Sequence, residues 1–387
     1  MKQILFRIIA TAFTLANLTA AEKPNILFIY LDDYGWKDAG FMGSDFYETP
    51  HLDALAAKGM VFTDAYSNAS NCAPARASLL SGQYTPRHRI FNVGTKPRGE
   101  SAHRRLKIDP GTNVLADKIV TWAEVLQKAG YRTGMFGKWH LGKDPTTQGF
   151  DVAVQHQDLT KNGGHYLPDG TYLADALTDR TIDFIKKNKD APWCAYLAHF
   201  GVHTPLQPKK FLLPKYEAKQ PGELHNHVVM ATMIQAIDDS VGRLIAGLER
   251  LGERENTMIV FSSDNGGYGP ATDMAPLWAY KGTYFEGGIR VPLFINWPGV
   301  VAPGETSSEP VIGLDFFPTF CAIAGAPLPD QPVDGRDLLP LFRGEVKSFG
   351  PRPIFWHFPA YLESYSIADE QRDPLFRARP VNFIIIL

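Results

Sequence analysis

The stretch Asn25-Ile26-Leu27-Phe28-Ile29-Tyr30-Leu31-Asp32-Asp33 decides the fold. Its first part is an almost unbroken apolar run, and it stops at two adjacent carboxylates. A strand with one wet face alternates apolar and polar residues. A run without alternation is buried on both faces, as in the centre of a parallel sheet. Ligand groups in open α/β sheets collect at the carboxyl ends of such strands. Neighbouring carboxylates repel there unless solvent or a cation intervenes. Asp32-Asp33 therefore reads either as a solvated strand end or helix cap, or as part of a metal site.

Strand and helix signals alternate along the rest of the chain. Residues 60–66, 131–136, 193–200, 257–262 and 291–296 read as further strands. Thr49-Pro50 opens a helix that Gly59 closes. Thr121-Trp122-Ala123-Glu124 is a capping box for a helix ending at Gly130. Residues 174–187 have helical spacing, and residues 228–251 form the clearest amphipathic helix, with Ile234, Ile237, Val241, Leu244 and Leu248 on one face. Asp238 and Asp239 in it read as surface or cap-supporting charges. A helix over 315–325 closes the core. This order implies a doubly wound α/β sheet.

Polar residues recur just after these strands. Gly137-Lys138-Trp139-His140 follows one, and Lys138 and His140 share a side if the chain stays extended. His203-Thr204-Pro205 follows the next. Asp264-Asn265-Gly266 offers two oxygen donors, and Lys281-Gly282 comes soon after. Taken singly, each has a plain structural explanation.

Asn71-Cys72-Ala73-Pro74-Ala75-Arg76-Ala77-Ser78-Leu79-Leu80-Ser81-Gly82 sets a thiol among small and polar residues. Pro74 suits a first helical position, and Gly82 suits a helix end. Cys72 then lies just before a helix N-terminus, which favours negative charge, with Arg76 one turn away. A free Cys in an arbitrary protein is usually a small buried hydrophobe. Cys194 and Cys321 fit that description, since both lie in apolar runs; Cys72 does not.

The chain has 387 residues, a formal charge of -2 and 44% hydrophobic residues. That suffices for a large core, and the charge gives no footprint for nucleic acid. Residues 1–21 read as a signal peptide: Lys2 and Arg7, an apolar centre, then Thr19-Ala20-Ala21. The apolar part is short for a membrane span, so no stable anchor is expected. The mature chain is then periplasmic or secreted, with a retained N-terminal anchor as the alternative. Three cysteines make no disulfide framework.

Cys72-x-Pro-x-Arg76 followed by Ser81-Gly82 resembles the signature of the sulfatase family, in the alkaline-phosphatase-like superfamily. Asp32-Asp33, Gly137-Lys138-Trp139-His140, His203-x-Pro205, Asp264-Asn265-Gly266 and Lys281-Gly282 are similar to its other motifs, in the same order. The resemblance covers residues 25–344. It implies a mixed, mostly parallel sheet with helices on both faces, and a catalytic domain over 22–345. It implies that a separate maturation enzyme, aerobic or anaerobic, oxidises Cys72 to Cα-formylglycine. It implies one cation, Ca2+ or Mg2+, on Asp32, Asp33, Asp264, Asn265 and residue 72. Arg76, Lys138, His140, His203 and Lys281 would surround the formylglycine and the sulfate. A further helper has no clear match over 144–156, and His88 is an additional candidate.

The chemistry suits those groups. Hard oxygen donors suit calcium, and fixed cations stabilise charge on the sulfate oxygens. One hydroxyl of the aldehyde hydrate attacks sulfur, and the other expels sulfate. His140 is assigned to the diol and His203 to the leaving alcohol; the reverse is open. The expected substrate is a sulfated carbohydrate. Alternatives are a phosphodiesterase or phosphonate monoester hydrolase of the same superfamily, or a glycan-binding relic. The relic reading draws on residues 346–387, which look like the truncated start of a C-terminal antiparallel subdomain. They end in an apolar Phe383-Ile384-Ile385-Ile386-Leu387 stretch without partner strands.

Overall fold

β1 (Asn25–Leu31) is buried along its whole length. Its pleat explains this: Ile26, Phe28 and Tyr30 enter one core, and Leu27, Ile29 and Leu31 enter another. The computed structural model describes residues 23–96, 107, 109–160, 163–360 and 384–386. The signal-peptide expectation lies outside them.

The strands that follow are β2 (Met60–Phe62), β3 (Ala65–Tyr66), β4 (Arg132–Gly137), β5 (Val152–Gln155), β6 (Trp193–Ala198) and β7 (Thr257–Ser263). Then come β8 (Leu293–Asn296), β9 (Glu305–Ser307), β10 (Val311–Ile312), β11 (Phe355–His357) and β12 (Ile384–Ile386). Eight of them make one sheet in the order β5-β4-β6-β1-β7-β8-β2-β9. From β5 to β7 all neighbours are parallel. β8 runs antiparallel to β7 and β2, and β9 is parallel to β2. The sheet is mixed and mostly parallel, as in the alkaline-phosphatase-like fold.

Helices cover both faces. Cys72–Ser81, Trp122–Lys128 and Phe316–Ala324 pack on one side. Pro50–Ala56, Leu173–Asn188 and Val228–Leu251 pack on the other. The capping box forms: Thr121 Oγ1 accepts from Glu124 N at 3.2 Å, and Glu124 Oε2 accepts from Thr121 N at 2.7 Å.

Other local expectations change in tertiary context. Thr49 does not cap its helix; its hydroxyl accepts from Gly40 N and donates to Asp53. Buried Asp238 takes over, accepting from Leu52 N at 2.8 Å and His51 N at 3.2 Å. It thus supports a cap, but that of a different helix. The segment expected as one strand over 60–66 is two short ones, β2 and β3.

Residues 345–360 dock back on the body. Trp356 is fully buried beside Tyr66 and donates from Nε1 to the Ser67 carbonyl at 2.7 Å. Within the terminal apolar stretch Ile384–Ile386 are partnered, contrary to expectation: they form β12, which pairs antiparallel with β11. An unpaired edge strand leaves backbone donors and acceptors open, and pairing satisfies them.

Candidate active site at the carboxyl end of the sheet

Leu31 lies opposite Ser263 in the parallel β1–β7 pair. The residues that follow, Asp32-Asp33 and Asp264-Asn265, therefore emerge at one edge. Gly137 at the end of β4 lies opposite Ala198 at the end of β6, so Lys138 and the loop to His203 emerge beside them. Only glycine fits position 137: its φ is +117°, and a Cβ there would stand 1.8 Å from the Ala198 carbonyl oxygen. Asp33 and His140 also hold positive φ, +62° and +65°. Left-handed backbone at non-glycine residues costs free energy and gathers at working sites. It also means that the chain through His140 is not extended, although Lys138 and His140 still line one cavity.

Cys72 is the first residue of its helix rather than the residue before it, and Asn71 is the N-cap. Pro74 sits within the first turn, where a missing N–H leaves no intrahelical bond unmade. Gly82 at φ +66° ends the helix. The Cys72 sulfur is buried 3.3 Å from Asp32 Oδ1 and 4.0 Å from Asp33 Oδ1. Lys138 Nζ pairs with Asp32 Oδ2 at 2.5 Å, and Lys281 Nζ with Asp33 Oδ2 at 2.6 Å. His203 Nε2 stands 3.8 Å from Asp33 Oδ2, and its Nδ1 donates to the Thr204 carbonyl at 2.6 Å. Metal-capable atoms of Asp32, Asp33, Cys72 and His203 lie within 4.8 Å of one another.

Asp264 and Asn265 form the next layer. Asp264 Oδ2 accepts from Arg76 Nε at 2.9 Å, and Asp264 Oδ1 accepts from Asp33 N at 3.3 Å. Asn265 Nδ2 donates to Asp33 Oδ1 at 2.8 Å, while its Oδ1 is buried with no hydrogen-bond partner. An orphaned amide oxygen beside three carboxylates is the donor set a hard divalent cation takes.

Charge is finely divided here. Burial would raise Asp32, yet Lys138, His203, Arg76 and Lys281 hold its carboxyl well below the usual range. Asp264 moves oppositely: burial, the Cys72 sulfur and Asp32 push it well up, and Arg76 offsets only part. Burial and Asp32 oppose ionisation of Cys72, but Lys138 and Lys281 favour it, and the thiol ends below its ordinary value. Buried Cys194 is pushed up, and burial lifts Cys321 to about 12. Burial and then Lys138 bring His140 down to about 3. Burial opposes protonation of His203, but Asp32, the Cys72 contact and Asp33 lift it to about 9.

Cys72, Asp33, Lys138, His140, His203 and Lys281 line one cavity of about 510 Å3. Arg76 does not reach its wall. It is fully buried behind it, held by Asp264 and by the Lys138 carbonyl at 3.0 Å. His88 is not part of the wall either; its Nε2 meets Ser78 Oγ at 2.9 Å, and its Nδ1 accepts from Ile90 N. His156, Gln157, Tyr268 and Tyr280 do line the cavity, and sequence reasoning missed them. His156 stacks on Phe200 at 4.4 Å between centroids. It falls at the end of the 144–156 span where no helper was assigned, and it is the one titratable ring there.

Comparison with known proteins agrees with this geometry. The family model described as Sulfatase matches residues 24–326. A protein named sulfatase from Formosa agariphila is 33% identical over 446 aligned positions, covering 94% of this chain and 80% of its own. Human arylsulfatase A is 33% identical, over 89% of this chain and 72% of its own. Among solved structures, Ps i-CgsB in complex with k-i-k-neocarrahexaose superposes with a TM-score of 0.74 at 33% identity, over 87% of this chain and 79% of that one. The chain is therefore a member of the sulfatase family within the alkaline-phosphatase-like superfamily.

Proposed function

We propose that the chain releases sulfate from a sulfated carbohydrate, with residue 72 acting as a Cα-formylglycine made from Cys72 by a separate maturation enzyme. The observation that carries this reading is the convergence of the Cys72 sulfur, Asp33, Lys138 and Lys281 in one cavity wall, with Asp32 directly behind it against Cys72 and Lys138. Asp32, Asp33, Asp264 and Asn265 would hold one divalent cation, Ca2+ or Mg2+, next to residue 72. Such an ion supplies positive charge that favours an ionised hydroxyl and polarises sulfate oxygens. The hydrated aldehyde supplies a nucleophilic hydroxyl and a second one able to expel sulfate.

The chain's own groups do the rest. Lys138 and Lys281 face the cavity and stabilise charge on the sulfate oxygens. Arg76 acts one step back by holding Asp264 in place. His203 has Nδ1 committed to the Thr204 carbonyl, so Nε2 is the atom that delivers a proton to the leaving alcohol. His140 lines the same cavity and has a buried Nδ1 without partner, and it is assigned to the proton of the residue-72 hydroxyl. The carbohydrate assignment rests on the oligosaccharide-bound relative. Export is proposed from the N-terminal signal; among the described residues no helix is long and apolar enough to cross a membrane.

The test is sulfate release from sulfated oligosaccharides, run beside phosphate release from the corresponding phosphate esters. Sulfate turnover should dominate, and peptide mass analysis should find the aldehyde at position 72. Cys72→Ser should lower steady-state turnover by at least about a thousandfold, because a single hydroxyl has no internal route to expel sulfate. Full turnover by that variant would remove the aldehyde from the mechanism.

A further inference from the structure

The loop between Asn265 and Lys281 forms two walls at once. Pro270 and Tyr280 line the catalytic cavity on one side. The same two residues line a second groove of about 630 Å3 on the other. The two spaces are therefore neighbours that share an edge. The loop is held from both ends: Lys281 N donates to the Gly267 carbonyl at 3.0 Å, and Gly287 N donates to the Trp278 carbonyl at 2.9 Å.

Trp278 lies on the wall of this second groove with 56% of its surface exposed. Single exposed apolar residues are ordinary; Phe211 and Leu328 are similarly exposed and line neither space. Trp278 differs in position, three residues before the site cation Lys281 and in a concave surface. Asn226 and Asp273 add hydrogen-bonding groups to the same groove. A flat indole beside polar groups matches a pyranose ring, which presents C–H bonds on its faces and hydroxyls at its rim.

We propose that this groove is a second sugar subsite, in which Trp278 stacks on the ring next to the sulfated one, so that the enzyme acts on chains rather than on single sugars. The inference rests on the sulfatase reading above and extends it to the length of the substrate. Binding energy gathered at Trp278, away from the reacting sulfate, raises the apparent affinity for longer substrates only.

The experiment compares p-nitrophenyl sulfate, which fills only the catalytic cavity, with a sulfated neocarrahexaose. Wild-type matured protein should favour the hexasaccharide in kcat/KM. Trp278→Ala should lower hexasaccharide kcat/KM about tenfold, chiefly through KM, as loss of an aromatic anchor does. It should leave the aryl ester unchanged, and Trp278→Phe should recover most of the loss. Equal losses on both substrates, or no preference of the wild type for the hexasaccharide, would overturn the subsite. Failure of the wild type on both esters would instead strike the sulfatase reading itself.

Discussion

Two buried arginine–aspartate pairs in this molecule have different fates. Arg352 and Asp315 tie the returning C-terminal segment to the Phe316–Ala324 helix. Asp315 accepts from Ile312 N at 2.9 Å, from Arg336 N at 2.8 Å and from both Arg352 terminal nitrogens. Every donor around it is neutral or positive, and the pair is electrically closed. Arg76 and Asp264 are more deeply buried, at 0% side-chain exposure each against 13% for Arg352. Yet Asp264 shares its surroundings with Asp32 and the Cys72 sulfur, and it is held well above the usual carboxylate range. Lys138 and Lys281 pair with Asp32 and Asp33 beside it, so this pair is one part of an interlocked cluster in which Asn265 Oδ1 is left without a partner. The first pair is closed on itself; the second belongs to a polar cluster with an acceptor left open.

The contrast is broken most forcefully by removing each arginine in turn. Arg352→Met should cost about 3–5 kcal/mol, because it strands a buried carboxylate. Urea denaturation would show the loss, while sulfate release per folded molecule should stay at wild-type level. Arg76→Met should lower activity per folded molecule about 10–100-fold, since Asp264 loses the group that positions it. If both variants lost only stability, the distinction between the pairs would vanish.

A smaller effect sharpens the same comparison. A cation that binds the folded acidic cluster alone stabilises by about 2.7 kcal/mol at a hundredfold excess over Kd. Chelation of wild type should therefore lower Tm, and calcium should restore it. Asn265→Ala should blunt the response by removing the orphaned oxygen, whereas Arg352→Met should respond as fully as wild type. A chelator-insensitive wild type would argue against a metal at Asp32, Asp33, Asp264 and Asn265.

Much of this site was legible before any coordinates, for one reason. The apolar runs of β1, β6 and β7 are nearly continuous, β4 is a shorter apolar segment before Gly137, and the candidate site residues follow where these strands stop. Strand register then does the gathering. What stayed hidden depends on contacts that no local pattern records. Asp238 caps a helix far away in sequence. Arg76 turns towards Asp264 and away from the cavity, which i,i+4 spacing from Cys72 does not determine. His156 reaches the cavity because β5 pairs beside β4, and β5 is a short strand with an exposed first residue and no clear apolar pattern. Tyr268, Tyr280 and Trp278 come from an irregular loop, where periodicity carries no signal.

The smallest expected effect concerns the support beneath the nucleophile. His88 lies behind the Cys72–Ser81 helix, bonded to Ser78, and burial brings it down to about 3. An unfolded histidine titrates near 6.5. Between those values the unfolded chain binds a proton that the folded chain refuses. Stability from this group is therefore complete above about pH 6.5 and is lost as pH falls towards the folded value. From pH 7.5 to 5.5 the loss amounts to about 1.4 kcal/mol for one such residue. His199, buried and also brought down to about 3 by desolvation, adds a similar slope. In His88→Gln that share of the pH dependence should disappear, read as a smaller difference between urea midpoints at the two pH values. His203 would behave in the opposite sense, because Asp32 and Asp33 hold its proton in the folded state. An unchanged slope in His88→Gln would mean that the scaffold histidine is protonated in place, and that the charge imbalance reaches beyond the Asp264 layer.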